Sequence, residues 1–236
     1  MIDRVARERA VIALLEEWPW RLGATLIGGY AVAAYGAPRY SNDVDVIIPE
    51  AGRTASEAWL REHGFKDAKG ERAKSTKVSM DAPRFAREEV TLDLLVGYVR
   101  DREAKVDVPE TWISLRRNYE RLDLMSGRLA KKIPIARPEA LWALKLQAGR
   151  DQDLTDLFVM STAPVNTREV RHLFESLMTP ALADKLRKVE RRLSDENLYG
   201  DSRSRLGLKA SDALLARWRQ FQERVARIIP RDELAA

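Results

Sequence analysis

Two aspartates that stand one residue apart, Asp43 and Asp45, are the strongest chemical signal in the sequence. Val44 and the run Val46–Ile48 are apolar and predict a buried β-strand, in which residues i and i+2 point to the same face. The two carboxylates therefore project together at the start of the strand, where they repel each other unless a cation lies between them. A hard divalent cation such as Mg²⁺ prefers carboxylate oxygens and is the first candidate for that role.

A third carboxylate lies in a later apolar segment. Asp93 is surrounded by valines and leucines in the run Val90–Val96, which predicts a second buried strand. An isolated carboxylate in an apolar strand costs free energy to bury unless it is paired or bound to a metal ion. Asp93 is therefore the most informative residue outside the segment that holds the aspartate pair.

The segment before the aspartate pair predicts a turn that could bind phosphate. Residues 24–27 read as a short strand, Gly28-Gly29 as a turn, and residues 30–35 as a short helix of small side chains. Backbone N–H groups at the start of a helix can cradle anions. A loop that carries Arg39 and Ser41 then leads into the aspartate strand.

Composition excludes several classes of protein. The 236 residues are 45% hydrophobic and 33% charged, as in an ordinary globular protein, and no run of eighteen apolar residues predicts a membrane span. The absence of cysteine excludes disulfides and thiolate chemistry, and only His63 and His172 are available for histidine chemistry. We therefore expect a cytoplasmic protein without a membrane partner. The net charge of +5 suits either contact with nucleic acid or a merely solvated surface.

The order of elements predicts an α/β (α+β) fold with two domains. A helix over residues 3–18 and a small mixed sheet occupy residues 1–136, and a helical domain occupies residues 137–236. Within the first domain, a helix over residues 51–62 is expected to turn Ala55, Ala58 and Trp59 inward.

Other segments carry weaker expectations. The basic segment 65–87 is expected to be mostly loop, with one strand around Val78–Met80. The segment KKIPIA reads as a final short strand. In the second half, four helical patterns follow one another from Pro138, then a loop in NLYGDSRSRLG precedes a last helix at about 209–228.

The two glycines, the D-x-D pair that is separated from Tyr30 by twelve residues, and Asp93 together resemble the nucleotidyltransferase superfamily that includes DNA polymerase β. The chain looks most like the AbiEii group of toxin nucleotidyltransferases. The resemblance covers about residues 24–160 and includes polar residues of the helical half that match the helix pair of that group: Glu139, Lys145, Arg150, Asp153 and Asp156.

The resemblance implies a metal-dependent nucleotidyltransferase that uses ATP or another NTP and releases pyrophosphate. Asp43 and Asp45 would hold two Mg²⁺ ions, or Mn²⁺, and Asp93 would complete the second metal site and accept a proton. Lys145 would reach the phosphates from the helical domain, which would close the cleft. The nucleotide-binding residues that the resemblance implies are Gly28, Gly29, Tyr30, Arg39, Ser41, Lys145, Arg150 and Asp153.

Tyr30 departs from the superfamily pattern. Many members carry serine or threonine directly after the glycines, where the hydroxyl contacts a nucleotide phosphate. Ser41 or Arg39 is the candidate to supply that contact here, so the departure bears on how the triphosphate is held.

The acceptor of the nucleotide is left open by the sequence. Basic runs at 66–87, 116–132 and 185–192 favour an RNA such as the 3′ end of tRNA, and a toxin would have a cognate antitoxin protein. The alternatives are a protein or antibiotic hydroxyl as acceptor, or an inactive scaffold that binds nucleic acid or a partner. Lys145 could also be a solvated helix residue, and Asp153 and Asp156 could be charges at a helix N-terminus.

Overall fold

The computed structural model describes residues 3–36, 40–68 and 83–230 of the chain. It divides into two compact units. The first consists of Met1–Arg100 and Asp107–Arg137, and the second of Asp101–Val106 and Pro138–Ala236. The strand expected around Val78–Met80 lies outside the described residues, as does Arg39.

The first unit combines a mixed sheet with short helices. Its helices are α1 (Arg4–Glu17), α2 (Gly28–Val32), α3 (Arg53–Glu62) and α4 (Glu110–Ile113). Its strands, with two that run on into the second unit, are β1 (Thr25–Ile27), β2 (Val44–Ile48), β3 (Lys66–Asp67), β4 (Arg84–Arg87), β5 (Val90–Val96), β6 (Tyr98–Asp101), β7 (Val106–Pro109), β8 (Asn118–Glu120), β9 (Asp123–Leu124), β10 (Gly127–Arg128) and β11 (Ile133–Ile135).

Strand β2 lies at the centre of the main sheet. In the described residues the strand order is β3-β4-β5-β2-β1-β11-β8, with β2 parallel to β5 and antiparallel to β1. The apolar residues of β2 are fully buried, which is why its sequence is almost continuously apolar rather than alternating. The predicted mixed sheet followed by helices is confirmed, as are the predicted strands at β1, β2, β5 and β11.

Helix α1 confirms the helix predicted over residues 3–18 and supports the loop before β2. Asp3 caps its first turn by accepting from the backbone N–H groups of Val5 and Ala6. From the next turn, Arg7 Nη2 donates to the carbonyl of Ser41 at 3.1 Å. Helix α1 therefore helps to fix the position from which Asp43 projects.

Three expectations for the first unit are wrong. Helix α2 begins at Gly28 rather than at residue 30, because the chain turns into the helix directly after β1. Helix α3 buries Ser56 and Leu60, whereas Ala55 and Ala58 are exposed, since small alanines do not determine which face packs inward. Trp59 alone of the three predicted residues turns inward, half-buried against the Trp18 ring. The segment expected as loop up to residue 87 contains strand β4, which pairs with β5.

The second unit is helical apart from its short segment Asp101–Val106. Its helices are α5 (Pro138–Ala148), α6 (Asp151–Met160), α7 (Thr167–Ser176), α8 (Pro180–Leu193), α9 (Glu196–Arg205) and α10 (Asp212–Ile228). The prediction of a loop in NLYGDSRSRLG is wrong. Helix α9 forms there because Asp195 caps it, and Leu198 and Ser202 bury one face at helical spacing.

An aromatic cluster forms the core of the second unit. The Phe221 ring lies 5.9 Å from that of Trp142, 5.8 Å from that of Phe158 and 5.4 Å from that of Trp218. Such tilted and edge-to-face pairs add to the free energy gained by burying the rings. Over the ranges that the structure describes, no helix has both the length and the hydropathy to cross a membrane.

Replacing Phe221 tests this core. We expect Phe221→Ala to lower the free energy of unfolding by about 3–5 kcal/mol, because it removes a buried ring and leaves a cavity. Met125→Ala is the control, since Met125 is 58% exposed, and should change stability by less than about 0.5 kcal/mol. Urea denaturation of both variants measures the difference, and equal values would contradict the cluster's role.

Candidate active site

Strand register brings the three predicted carboxylates together on one face of the sheet. Asp45 on β2 is the direct neighbour of Asp93 on the parallel strand β5. Residues in register across neighbouring strands share a face, and Asp43 shares it because it stands two residues before Asp45. The structure therefore gathers Asp43, Asp45 and Asp93 at the start of β2.

A guanidinium group lies among these carboxylates. Arg84 on β4 is the cross-strand neighbour of Asp93 and binds it as a fork, with Nε 2.7 Å from Oδ1 and Nη2 2.8 Å from Oδ2. The same Nη2 is 3.2 Å from Asp43 Oδ2. The hydrogen bond to Asp93 raises the pKa of Arg84 against the effect of burial, and the charges of Asp43 and Asp45 add to it.

Thr91 orients the first carboxylate. Its hydroxyl lies 2.5 Å from Asp43 Oδ1 and 3.0 Å from the carbonyl oxygen of Asn42. Sequence reasoning missed both Thr91 and Arg84. Thr91 stands two residues before Asp93 in a strand and so shares its face, a signal that was available. Arg84 could be found only by knowing that β4 exists and how it pairs.

Gly28 makes room for the Asp45 carboxylate. Its φ of +69° lies in the left-handed region that favours glycine, and a Cβ at this position would lie 2.7 Å from Asp45 Cγ. The backbone at the start of α2 thus passes directly against the second aspartate. This contact explains why glycine precedes the aspartate pair in the sequence.

Tyr30 and Ser41 contact each other and stabilise the loop that leads to Asp43. The Tyr30 side chain is buried, and its hydroxyl donates to the carbonyl of Ser41 at 3.3 Å. The same carbonyl accepts from Arg7. Tyr30 therefore holds the chain just before Asp43, and its predicted contact with a nucleotide stays a prediction, as does that of Ser41.

All three carboxylates are of the ligand type that a divalent cation prefers, but they are not all equally available to bind one. Asp43 and Asp45 are oxygen donors on one strand edge, the ligand type that Mg²⁺ and Mn²⁺ prefer. Both oxygens of Asp93, however, are bound by Arg84. Within the described part of the chain, no cluster of three or more histidine, aspartate or glutamate side chains could hold one metal ion. The guanidinium contacts only one oxygen of Asp43 but both oxygens of Asp93. The aspartate pair on β2 therefore fits a cation better than Asp93 does.

The predicted residues of the helical half form a buried ion cluster within the second unit. Lys145 Nζ is 2.8 Å from Asp153 Oδ1 and 2.7 Å from Asp156 Oδ2, and Arg150 Nε is 2.6 Å from Asp153 Oδ2. Lys145 is only 8% exposed, which excludes the alternative that it is a solvated helix residue. The roles of Lys145, Arg150 and Asp153 in nucleotide binding stay predictions.

Within this cluster, the pKa values of Lys145 and Asp153 shift in opposite directions. Burial lowers the pKa of Lys145, but Asp156 and Asp153 outweigh it, so that the pKa lies above its usual 10.5. Burial raises the pKa of Asp153, but Lys145 and Arg150 outweigh it, so that the pKa lies below its usual 3.8. Both groups are therefore charged at neutral pH.

Comparison with known proteins identifies the chain as a nucleotidyltransferase. The model of the family described as nucleotidyl transferase AbiEii toxin, of the type IV toxin–antitoxin system, matches residues 12–235. The chain belongs to this family. The prediction of a nucleotidyltransferase of the AbiEii group is confirmed.

Solved structures give weaker likenesses. A protein from Thermotoga maritima assigned as a nucleotidyltransferase is 16% identical at a TM-score of 0.42, over 64% of this chain and 89% of that chain. ANT(2″)-Ia in complex with adenylyl-2″-tobramycin is 15% identical at a TM-score of 0.38, over 94% of this chain and 99% of that chain. The CdnE cyclic dinucleotide synthase of Elizabethkingia meningoseptica, with GTP and Apcpp, is 10% identical at a TM-score of 0.25, over 94% of this chain and 89% of that chain. No curated protein sequence matches significantly.

Substitution of Gly28 tests its contact with Asp45. We expect Gly28→Ala to lower the free energy of unfolding by about 2 kcal/mol or more, because alanine is strained at this φ and its Cβ meets the carboxylate. Gly200→Ala is the matched control, since its Cβ would meet nothing within 4 Å. In helix α9 it should stabilise by up to about 1 kcal/mol. Thermal and urea denaturation measure both, and equal effects would contradict the contact.

The ion cluster of the second unit predicts a pH dependence. Because the pKa of Asp153 is lowered on folding, its contribution to stability is present above pH 3.8 and is lost as the pH falls through the folded value. We expect Asp153→Asn to cost about 3–5 kcal/mol at neutral pH, because it leaves part of the charge of Lys145 and Arg150 uncompensated.

Urea denaturation of the wild type and Asp153→Asn at several pH values measures this difference. It should shrink below pH 3.8. Asp184→Asn removes one partner of an exposed pair with Arg187 and should have little effect at any pH. A difference that stays constant down to the most acid pH would contradict the assignment.

Proposed function

We propose that this chain is the toxin of a toxin–antitoxin pair and transfers a nucleoside monophosphate from an NTP to a hydroxyl at the 3′ end of an RNA such as tRNA. The observation that carries the proposal is the gathering of Asp43, Asp45 and Asp93 on one sheet face, in a chain of a nucleotidyltransferase family. Membership of a toxin–antitoxin family supports a cognate antitoxin protein as a further partner.

Asp43 and Asp45 would hold the divalent cation, Mg²⁺ or Mn²⁺. Bound there, the cation would offset the negative charge of the triphosphate and lower the pKa of a nearby hydroxyl. Thr91 holds the Asp43 carboxylate in place, and Gly28 leaves space for that of Asp45. These two contacts orient both donors before any substrate arrives, which is the kind of preorganisation on which such catalysis depends.

In the proposed reaction the oxygen of the acceptor hydroxyl attacks the α-phosphorus of the NTP. The bond between the α-phosphorus and its bridging oxygen breaks, and pyrophosphate leaves. Positioning and charge neutralisation carry this reaction, so neither histidine nor cysteine is needed. The superfamily resemblance assigns the hydroxyl proton to Asp93, which Arg84 holds in a fixed orientation.

Exposed basic residues support RNA as the acceptor. In the first unit they lie in the same stretch of the sequence as Tyr119, which is 52% exposed and lies beside the guanidinium of Arg117. The exposed basic residues of this segment are Arg116, Arg121, Arg128, Lys131 and Lys132. In the second unit, Lys188 and Arg191 are exposed on α8. Cations near an exposed aromatic ring suit the phosphates and bases of single-stranded RNA.

A transfer assay tests the proposal. The protein is incubated with Mg²⁺, total tRNA and each of the four α-³²P-labelled NTPs in turn, and we expect label on tRNA. Asp43→Asn and Asp45→Asn should each lower the rate by about 100-fold or more, because even a small misplacement of the reacting groups costs that much. Glu223→Gln, whose side chain is 69% exposed, should leave the rate unchanged.

Other outcomes discriminate the alternatives. Label on protein or on an aminoglycoside, with none on RNA, would reject RNA as the acceptor while keeping the enzyme. RNA binding that survives Asp43→Asn and is lost when Lys188 and Arg191 are changed to glutamate, with no transfer to any acceptor, would favour the non-catalytic scaffold.

A further inference from the structure

The cation among the three carboxylates is part of the chain itself. The Arg84 guanidinium donates to both oxygens of Asp93 and reaches Asp43, so that one positive charge serves two of the three carboxylates. In a two-metal site, a second cation would have to bind the same oxygens of Asp93. As long as the fork stays closed, the positive charge of Arg84 therefore opposes the binding of a second metal ion at Asp93.

The position of Arg84 is set by the sheet rather than by a chance approach of a long side chain. Arg84 pairs with Asp93 in the antiparallel register of β4 and β5, and the next pair along, Phe85 with Leu92, is fully buried. Direct cross-strand neighbours have Cβ atoms only about 5 Å apart. The fork on Asp93 is thus a local consequence of strand pairing.

The fork is also costly to break. The side chains of Arg84 and Asp93 are 17% and 9% exposed, and a planar guanidinium bound to both oxygens of a carboxylate is among the strongest side-chain pairs. Arginine stays charged throughout the range of pH in which proteins fold, so the pair cannot be released by deprotonation. Separating it would leave the largely buried Asp93 without its counter-charge.

We propose that Arg84 takes the place of the second divalent cation, so that the loaded enzyme holds one ion, on Asp43 and Asp45. This inference rests on the proposed function. Arg84 is then a positioning residue: it fixes Asp93 and supplies a permanent positive charge beside the cation held by the aspartate pair. The site keeps that charge at any concentration of free metal.

Counting bound Mn²⁺ tests the inference without relying on activity. The protein is titrated with Mn²⁺ in the presence of a saturating α,β-methylene analogue of ATP, CTP, GTP or UTP, each in turn. Free Mn²⁺ is measured at each step by electron paramagnetic resonance. We expect one Mn²⁺ per wild-type chain, and two in Arg84→Gln, where Asp93 is released. Arg87→Gln is the matched control on the same strand, because Arg87 donates to the His63 carbonyl instead, and it should bind one.

Two further variants keep the test decisive if Arg84→Gln fails to fold. Arg84→Lys keeps the charge and should bind one ion. Asp93→Asn should bind one ion with an affinity within about threefold of the wild type, because Asp93 is not a ligand; this threefold is about 0.7 kcal/mol. Two ions in the wild type, one in a folded Arg84→Gln, or a tenfold loss of affinity in Asp93→Asn would each overturn the inference. Binding of no Mn²⁺ by any chain with any analogue would instead reject the metal-dependent function beneath it.

Discussion

Mutual repulsion of carboxylates is the constraint on which the rest of the first unit depends. Strand register sets Asp45 beside Asp93, and Asp43 stands on the same face two residues earlier. Like charges this close are unstable without a positive partner. Arg84 supplies that partner through strand pairing, and Thr91 holds the remaining oxygen of Asp43. The free energy that gathers the acidic groups thus comes from the buried apolar residues of the strands that carry them.

Support for this arrangement comes from residues other than the three carboxylates. Gly28 lets the backbone pass close to Asp45, and Tyr30 and Arg7 hold the Ser41 carbonyl in the loop before Asp43. A tyrosine stands where many superfamily members carry a hydroxyl that contacts phosphate. Its burial gives that departure a structural reason, since its phenol group anchors the loop from inside the unit.

Much of the fold could be predicted from the sequence because apolar runs and helix caps are local signals. The strand of Asp45, the strand of Asp93 and helix α1 were found in this way. Strand β4 was missed because its polar sequence gains its stability from pairing with β5, which no local pattern reveals. Arg84 was missed with it. The buried face of α3 was misassigned because alanines pack equally well inside or outside, and α9 was missed because Gly200 and its serines are typical of loops.

The site shows the same division between local and non-local information. Spacing of i and i+2 located Asp43 and Asp45, and an isolated charge in an apolar run located Asp93. Their counter-charge, Arg84, depends on how β4 pairs with β5, which no local pattern reveals. Lys145 is a similar case, because its two carboxylate partners lie in the next helix, α6, and the sequence alone did not show that they pair with it.

Our central claim is that the aspartate pair is the metal-binding centre and that Arg84 stays on Asp93 in the loaded site. The most direct measurement is a crystal structure of the protein with Mn²⁺ and a non-hydrolysable NTP analogue, with data collected at the manganese absorption edge. The account predicts one anomalous peak within coordination distance of Asp43 and Asp45, with the Arg84 fork on Asp93 intact. A peak bound to Asp93 with Arg84 turned away, or no peak at the aspartate pair, would contradict it.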